Sequence, residues 1–354
     1  MIPVDRLHHV TVVVRDLAAT ARNYALVLGI ERWDVVHLDA ARLGDTSAFG
    51  FETPFTYSAA TGTSANGVTF ELVQPVSGLS SFMEFLVTRG EGIHGLCLAE
   101  LAEGGLRDLA GLPVAQAETV DGAARHYHLD TRAALGGYHV EVVVPLAGGG
   151  RRRVDERWDF GGQVRRPAGV EGLQELPRIW HFGVAVGSLM ERLPAYASLL
   201  GLTEWTFAHF RPGPGLLERS TLNGEAVEHA WVLAKADVPQ FGFEVIQPTV
   251  EPTHYRREFM DRGGEGIHHL LALPSTADEE WLRLRAWLES LGAPVAMSGS
   301  VRSGAAEFFY VDTRRLLGGY LLEVIRRSAR PEGGEPPRSE PDFRFDFSKP
   351  RSEV

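Results

Sequence analysis

A chain of 354 residues, 44% of them hydrophobic, can bury a large core and is long enough for two domains. Its net charge of −11 argues against binding nucleic acid or anionic lipid, since both demand a basic surface. No apolar run approaches the roughly 20 residues of a membrane-spanning helix, and "MIPVDRLHHV" carries no basic leader, so a soluble, cytoplasmic protein is expected.

In chain order, "LHHVTVVVRDLAATARNYALVLGIERW" (7–33) reads as an alternating strand, a helix from Asp16 to Gly29, and a Trp. "VTFELVQP" (68–75) sets Glu71 in an apolar strand. "RGEGIHGLCLA" (89–99) holds His94 and the single cysteine, Cys97, which reads as a buried, inert thiol. "YHLDTRAALGGYHVEVV" (127–143) carries Glu141. The stretch 145–177 mixes Gly, Pro and charge without an apolar period and reads as a linker, with Arg151, Arg152 and Arg153 as a solvated cluster.

The same phrases then return in the same order. "IWHFGVAVGSLMERLPAYASLLGLTEW" spans 179–205, with Ser188 and Glu191 as a capping box and Gly201 as the stop, while Pro194 shifts the helix start or kinks it. "FGFEVIQP" (241–248), "GGEGIHHLLAL" (263–273), a helix such as "TADEEWLRLRAWLESLG" and "YVDTRRLLGGYLLEVI" (310–325) follow. The pattern strand, helix, three strands therefore occurs four times. The expected organisation is a first domain over 1–146, a linker over 147–177 and a second domain over 178–327. Residues 328–354 form a mobile tail, or an arm laid on the surface through Phe343, Phe345 and Phe347.

In the second repeat, His181, Glu244, His268 or His269, and Glu323 fall on four different predicted strands. Side chains alternate across a strand, so only one of the adjacent histidines faces a given side unless a bulge intervenes. Carboxylates among apolar neighbours need a partner, and one divalent cation compensates both. Two imidazoles with two carboxylates suit Zn, Fe(II), Mn, Co or Ni.

These motifs resemble the vicinal oxygen chelate superfamily of glyoxalases, methylmalonyl-CoA epimerases, extradiol dioxygenases and bleomycin-resistance proteins. The phrase "YRREFMDRGGEGIHHLLAL" is most similar to the epimerase and glyoxalase-like branch. The resemblance implies an α+β fold in which each domain joins two βαβββ modules into a curved-sheet cup. It implies His181, Glu244, His269 and Glu323 as metal ligands. The first repeat has His9, Glu71, Gly95 and Glu141 there, and His94 is expected on the opposite strand face, so a metal-free first domain is expected.

A metal with two free positions can chelate substrate oxygens and acidify a neighbouring C–H bond. The two-glutamate set resembles epimerases, isomerases and lyases. An extradiol Fe(II) dioxygenase and a non-catalytic binding protein are the alternatives. Glu244 or Glu323 is the candidate base, with His209 and Tyr255 as further candidates. Trp205, Phe207, Phe210 and Phe309 would suit an aromatic substrate. The partner expected is a small molecule, with a homodimer as the further candidate.

Overall fold

The computed structural model of the protein describes residues 1–4, 6–102, 111–150, 152–170, 179–271, 278–301, 304, 306–327 and 342–349. Each repeat contributes one eleven-stranded sheet, and the expected α+β tandem of curved sheets is what is found. In the first sheet, strand His9–Val13 runs parallel to Thr69–Gly78 and antiparallel to Gly92–Glu100, which is parallel to His139–Pro145. The second repeats this with His181–Ala185, Gly242–Val250, Gly266–Leu271 and Leu321–Arg327. The four middle strands of each sheet thus carry the four equivalent candidate positions. Among the described residues no helix is long and apolar enough to cross a membrane.

Helix Leu17–Leu28 opens with the Asp16 carboxylate accepting from the Ala19 amide and closes at Gly29 with φ 71°. Helix Leu189–Leu200 closes in the same way at Gly201. Its Ser188 makes no side-chain capping bond, so the expected capping box does not form, and Pro194 sits inside the helix. Another residue meets the need of the exposed amides. Gln247 Oε1 accepts from the Leu189 amide at 2.9 Å, as Gln74 Oε1 does from Leu17 at 3.0 Å. That pairing gives the recurrent "QP" a structural role.

The domains are joined by reciprocal contacts. Tyr320 donates to Tyr24, whose hydroxyl donates to the Leu317 carbonyl. Tyr138 donates to Tyr196, which donates to the Leu135 carbonyl. Around them one hydrophobic core takes residues from both domains, including Val12, Tyr24, Phe70, Tyr138, Val184, Tyr196 and Phe243. Two smaller cores fill the cups.

Two sequence expectations need correction. The arginine cluster is solvated only in part: Arg152 is half-buried against Glu71, while exposed Arg153 donates its amide to Asp121 and Glu156–Asp159 adds a strand to the edge strand Arg32–Leu38. Buried Arg42 anchors this path, bonding Asp121, Asp155 and the Arg153 carbonyl. Arg151 lies outside the described residues. The second correction concerns the tail, of which 328–341 and 350–354 lie outside the described residues. Phe343–Asp346 pairs with Glu204–Phe210, and Phe207 stacks on Phe343 at 4.3 Å, so the surface-arm alternative holds there. Both additions cover the same edge of equivalent sheets, where unpaired backbone would otherwise invite another strand.

Gly319 has φ 89°, and a methyl group there would overlap the Glu91 carbonyl across the domain contact. Gly319→Ala should cost about 3 kcal/mol in urea unfolding. Gly67→Ala has a similar φ of 85° but nothing within 4 Å, and should cost about 1 kcal/mol. Equal losses would show that the domain contact does not depend on this close approach.

Candidate metal centre

His181 and Gly183 point to the same side of their strand, and in the neighbouring antiparallel strand Gly183 lies opposite His269. The His269 ring lies across Gly183, where any Cβ would overlap it. The register shifts at this point, leaving His268 as the extra residue of a β-bulge. The bulge turns both histidines to one side, with Nδ1 atoms 3.0 Å apart. The same shift leaves His94 as the extra residue in the first domain, so the expected opposite-face placement is corrected for both repeats. His94 contacts Ser81 Oγ at 3.1 Å and packs on Phe82 and Phe85, away from the ligand positions.

The four expected ligands converge. His181 Nε2 lies 2.6 Å from Glu244 Oε2 and 3.0 Å from Glu323 Oε2. His269 Nε2 lies 3.5 Å from the same Glu323 oxygen and 3.4 Å from His181 Nε2. All four side chains are buried, with one donor atom of each within 4.8 Å of the others. Burial alone would disfavour charge on His181, but Glu244 and Glu323 outweigh it and push its pKa up to about 9. Burial likewise opposes charge on Glu323, and hydrogen bonds from His181 and His269 hold it well below the usual carboxylate range. Two imidazole nitrogens turned toward each other and two carboxylate oxygens in one buried space form a donor set that fits a divalent ion.

Behind His269 runs a line of imidazoles, with His268 Nε2 2.8 Å from His254 Nδ1. His268 thereby fixes which His269 nitrogen faces the other donors. His254 begins a π-helical turn, Tyr255–Met260, that lies against His268 through Tyr255 and Phe259.

The other expected site residues divide. Tyr255 is buried and donates to the Tyr310 hydroxyl at 2.8 Å, and the Tyr310 ring packs on His269 at 4.7 Å. His209 is exposed on an outer strand, bonded through its amide to Asp342, and takes no part in the centre. Trp205, Phe207 and Phe309 belong to the shared core and not to the cup. Phe210 does reach the cup cluster, stacking on Trp231 at 5.2 Å. Sequence reading missed Trp231, Met297, Phe308 and Tyr310, which line the cup. The signal for two of them was the alternation in "AEFFYV", which sends Phe308 and Tyr310 to the face opposite Phe309.

In the first cup Thr11 opposes Gly95, the reverse of Gly183 opposite His269. Thr11 Oγ1 donates to Glu141 Oε2 at 3.4 Å, and half-buried Arg152 donates to Glu71 Oε1 at 2.6 Å. A guanidinium from the linker therefore neutralises the carboxylate equivalent to Glu244.

Residues 8–129 match the Glyoxalase/Bleomycin resistance protein/Dioxygenase superfamily. No curated protein matches the sequence. Among solved structures, a mutant 4-hydroxymandelate synthase from Streptomyces coelicolor is 15% identical, with TM-score 0.54, over 94% of this chain and 95% of its own. A Mn(II)-bound glyoxalase from Novosphingobium aromaticivorans is 14% identical over 92% and 83%, with TM-score 0.42. A halotolerant catechol dioxygenase, BphC, is 13% identical over 91% and 87%, with TM-score 0.41. The first of these supports the tandem fold over nearly the full length. The superfamily includes metal-dependent dioxygenases, glyoxalases and epimerases.

His269→Ala should lower affinity for Mn(II) or Zn(II) at this centre at least about 100-fold, read by competition with a chelating dye. Gly183→Ala removes no donor, yet should weaken binding about 10-fold or more by displacing the His269 ring. Unchanged affinity in both variants would show that His269 is not a ligand.

Proposed function

We propose that the second cup is the active site of a metal-dependent epimerase, isomerase or lyase acting on a small oxygenated, aromatic substrate. The observation that carries this reading is the presence of Glu244 in the donor cluster beside His181, His269 and Glu323. A divalent ion bound there supplies Lewis-acid polarisation of a substrate oxygen, which acidifies the adjacent C–H bond. The two carboxylates are held differently. Glu323 reaches both imidazoles, whereas Glu244 has a close contact with His181 alone. Glu323 is therefore the anchoring carboxylate, and Glu244 is the one free to take a proton and return it. Trp231, Phe308 and Tyr310 give the cup an apolar aromatic wall that excludes water and offers stacking to a planar substrate. Tyr255, through its bond to the Tyr310 hydroxyl, is a positioning residue.

One feature favours a second reading. His181, His269 and Glu323 by themselves form two histidines and one carboxylate in mutual contact, the set used by Fe(II) oxygenases. In that reading Glu244 only orients His181.

The holoprotein should be incubated in deuterated water with a panel of oxygenated aromatic acids and followed by mass spectrometry. Deuterium is expected at the carbon next to the chelated carbonyl, at equal rates with and without oxygen. Glu244→Gln should retain metal and lower exchange at least about 100-fold, while Glu323→Gln should lose the metal. Stoichiometric oxygen uptake with an oxygenated or ring-opened product would replace the proton-transfer reading with the oxygenase one.

A further inference from the structure

The first cup was expected to be metal-free because glycine stands at position 95, where the second cup has His269. The structure shows another donor two residues along the same strand. Cys97 pairs with His9 on one neighbouring strand and with Glu141 on the other. The equivalent position in the second domain, opposite His181 and Glu323, is Leu271. Side chains two apart share a face, so a donor at 97 addresses the same cup as one at 95. His9 Nε2, Cys97 Sγ and a Glu141 oxygen indeed lie within 4.8 Å of one another.

The surroundings are those of a polar site. The second cup presents Met297, Gly299, Phe308 and Tyr310 along two strands, where the first presents Gln116, Glu118, His126 and His128. Glu71, Glu118 and Glu141 are all buried, and Arg152 is the one guanidinium in contact with any of them, among the described residues. Three carboxylates against one guanidinium leave a charge of −2 before any imidazole is protonated. A divalent cation would balance that charge. The individual contacts bring three donor atoms together. Arg152 takes Glu71 aside, so Glu71 Oε2 stands 3.7 Å from His9. His126 holds Glu141 Oε1 at 2.7 Å, which leaves Oε2, 3.0 Å from His9, directed toward the histidine and the thiol. Tyr57 and Gln116 bond Glu118 and fix the far wall.

We propose that the first cup is a second metal site with mixed donors, Cys97 Sγ, His9 Nε2 and Glu141 Oε2, selective for a thiophilic divalent ion such as Zn(II) or Co(II). The sulfur distinguishes it from the second cup, whose donors are only nitrogen and oxygen. Binding converts the Cys97 thiol to thiolate and releases its proton to solvent. Glu71 serves as the partner of Arg152 and is not a ligand. The inference is independent of which reaction the second cup performs.

The test uses the full chain stripped of metal and reloaded with Co(II). Two ions per chain are expected, together with a thiolate-to-cobalt charge-transfer band in the near ultraviolet. Cys97→Ser should abolish the band and lower the stoichiometry from two to one. His269→Ala should also lower it to one but keep the band, which separates the two cups. If Cys97→Ser does not fold, the spectrum of the unaltered protein decides alone. One ion per chain and no thiolate band at saturating Co(II) would overturn the proposal. Ion pairing would then account for the cluster, with Cys97 and Glu141 holding the half-buried His9 imidazole above its ordinary pKa against the opposing effect of burial.

Discussion

Each curved sheet buries two carboxylates at matching strand positions, and neither sheet can exist in that form without positive charge to meet them. Isolated in an apolar cup, such a group would cost several kcal/mol or take up a proton. The second domain answers with two imidazoles whose nitrogens converge on Glu244 and Glu323, an arrangement suited to a cation. The first answers Glu71 with Arg152, delivered by the chain segment that joins the domains. Much of the rest follows from this requirement. The linker must run close along the first sheet to reach the cup, and Arg42 with Asp121 and Asp155 fixes that route.

The pairing of domains is as constrained as the cups. The two tyrosine pairs are related by the repeat, and so are the glycines that let each short helical turn approach the other domain. The consequence is one continuous core between the sheets, with cups facing away from it. Such a core has no boundary along which the domains could separate without exposing Tyr24, Tyr138, Tyr196 and Tyr320 together. The cups are therefore presented on a rigid body, which suits groups that must hold donors within a fraction of an ångström.

The repeat was legible in the sequence because it is a repetition of whole phrases, and the four equivalent strand positions followed from it. His181, Glu244, His269 and Glu323 could be chosen without coordinates once the family resemblance was recognised. The bulge could not. It changes which neighbours share a face, and nothing in "IHH" or "IHG" announces an extra residue, since the bulge is a property of the pairing. Cys97 is buried as its apolar run indicates, yet its neighbours were not legible for a related reason. An apolar run around a thiol describes burial, but whether the thiol meets His9 and Glu141 depends on register across three strands. Arg152 departs from the solvated reading because arginine is exposed in most contexts, and only the distant Glu71 gives it a buried partner.

The exchange of Gly183 and His269 for Thr11 and Gly95 bears on how two such halves can change. In each domain one residue of the facing pair is bulky and the other is glycine, on opposite strands. A recombination that joined the first strand of one half to the later strand of the other would set Thr11 against His269, with no space for the ring. The reciprocal product would set Gly183 against Gly95 and leave a hole. Once the bulk had moved from one strand to its neighbour, the halves could be inherited or traded only as intact domains, and sequence could no longer flow between them within the cup.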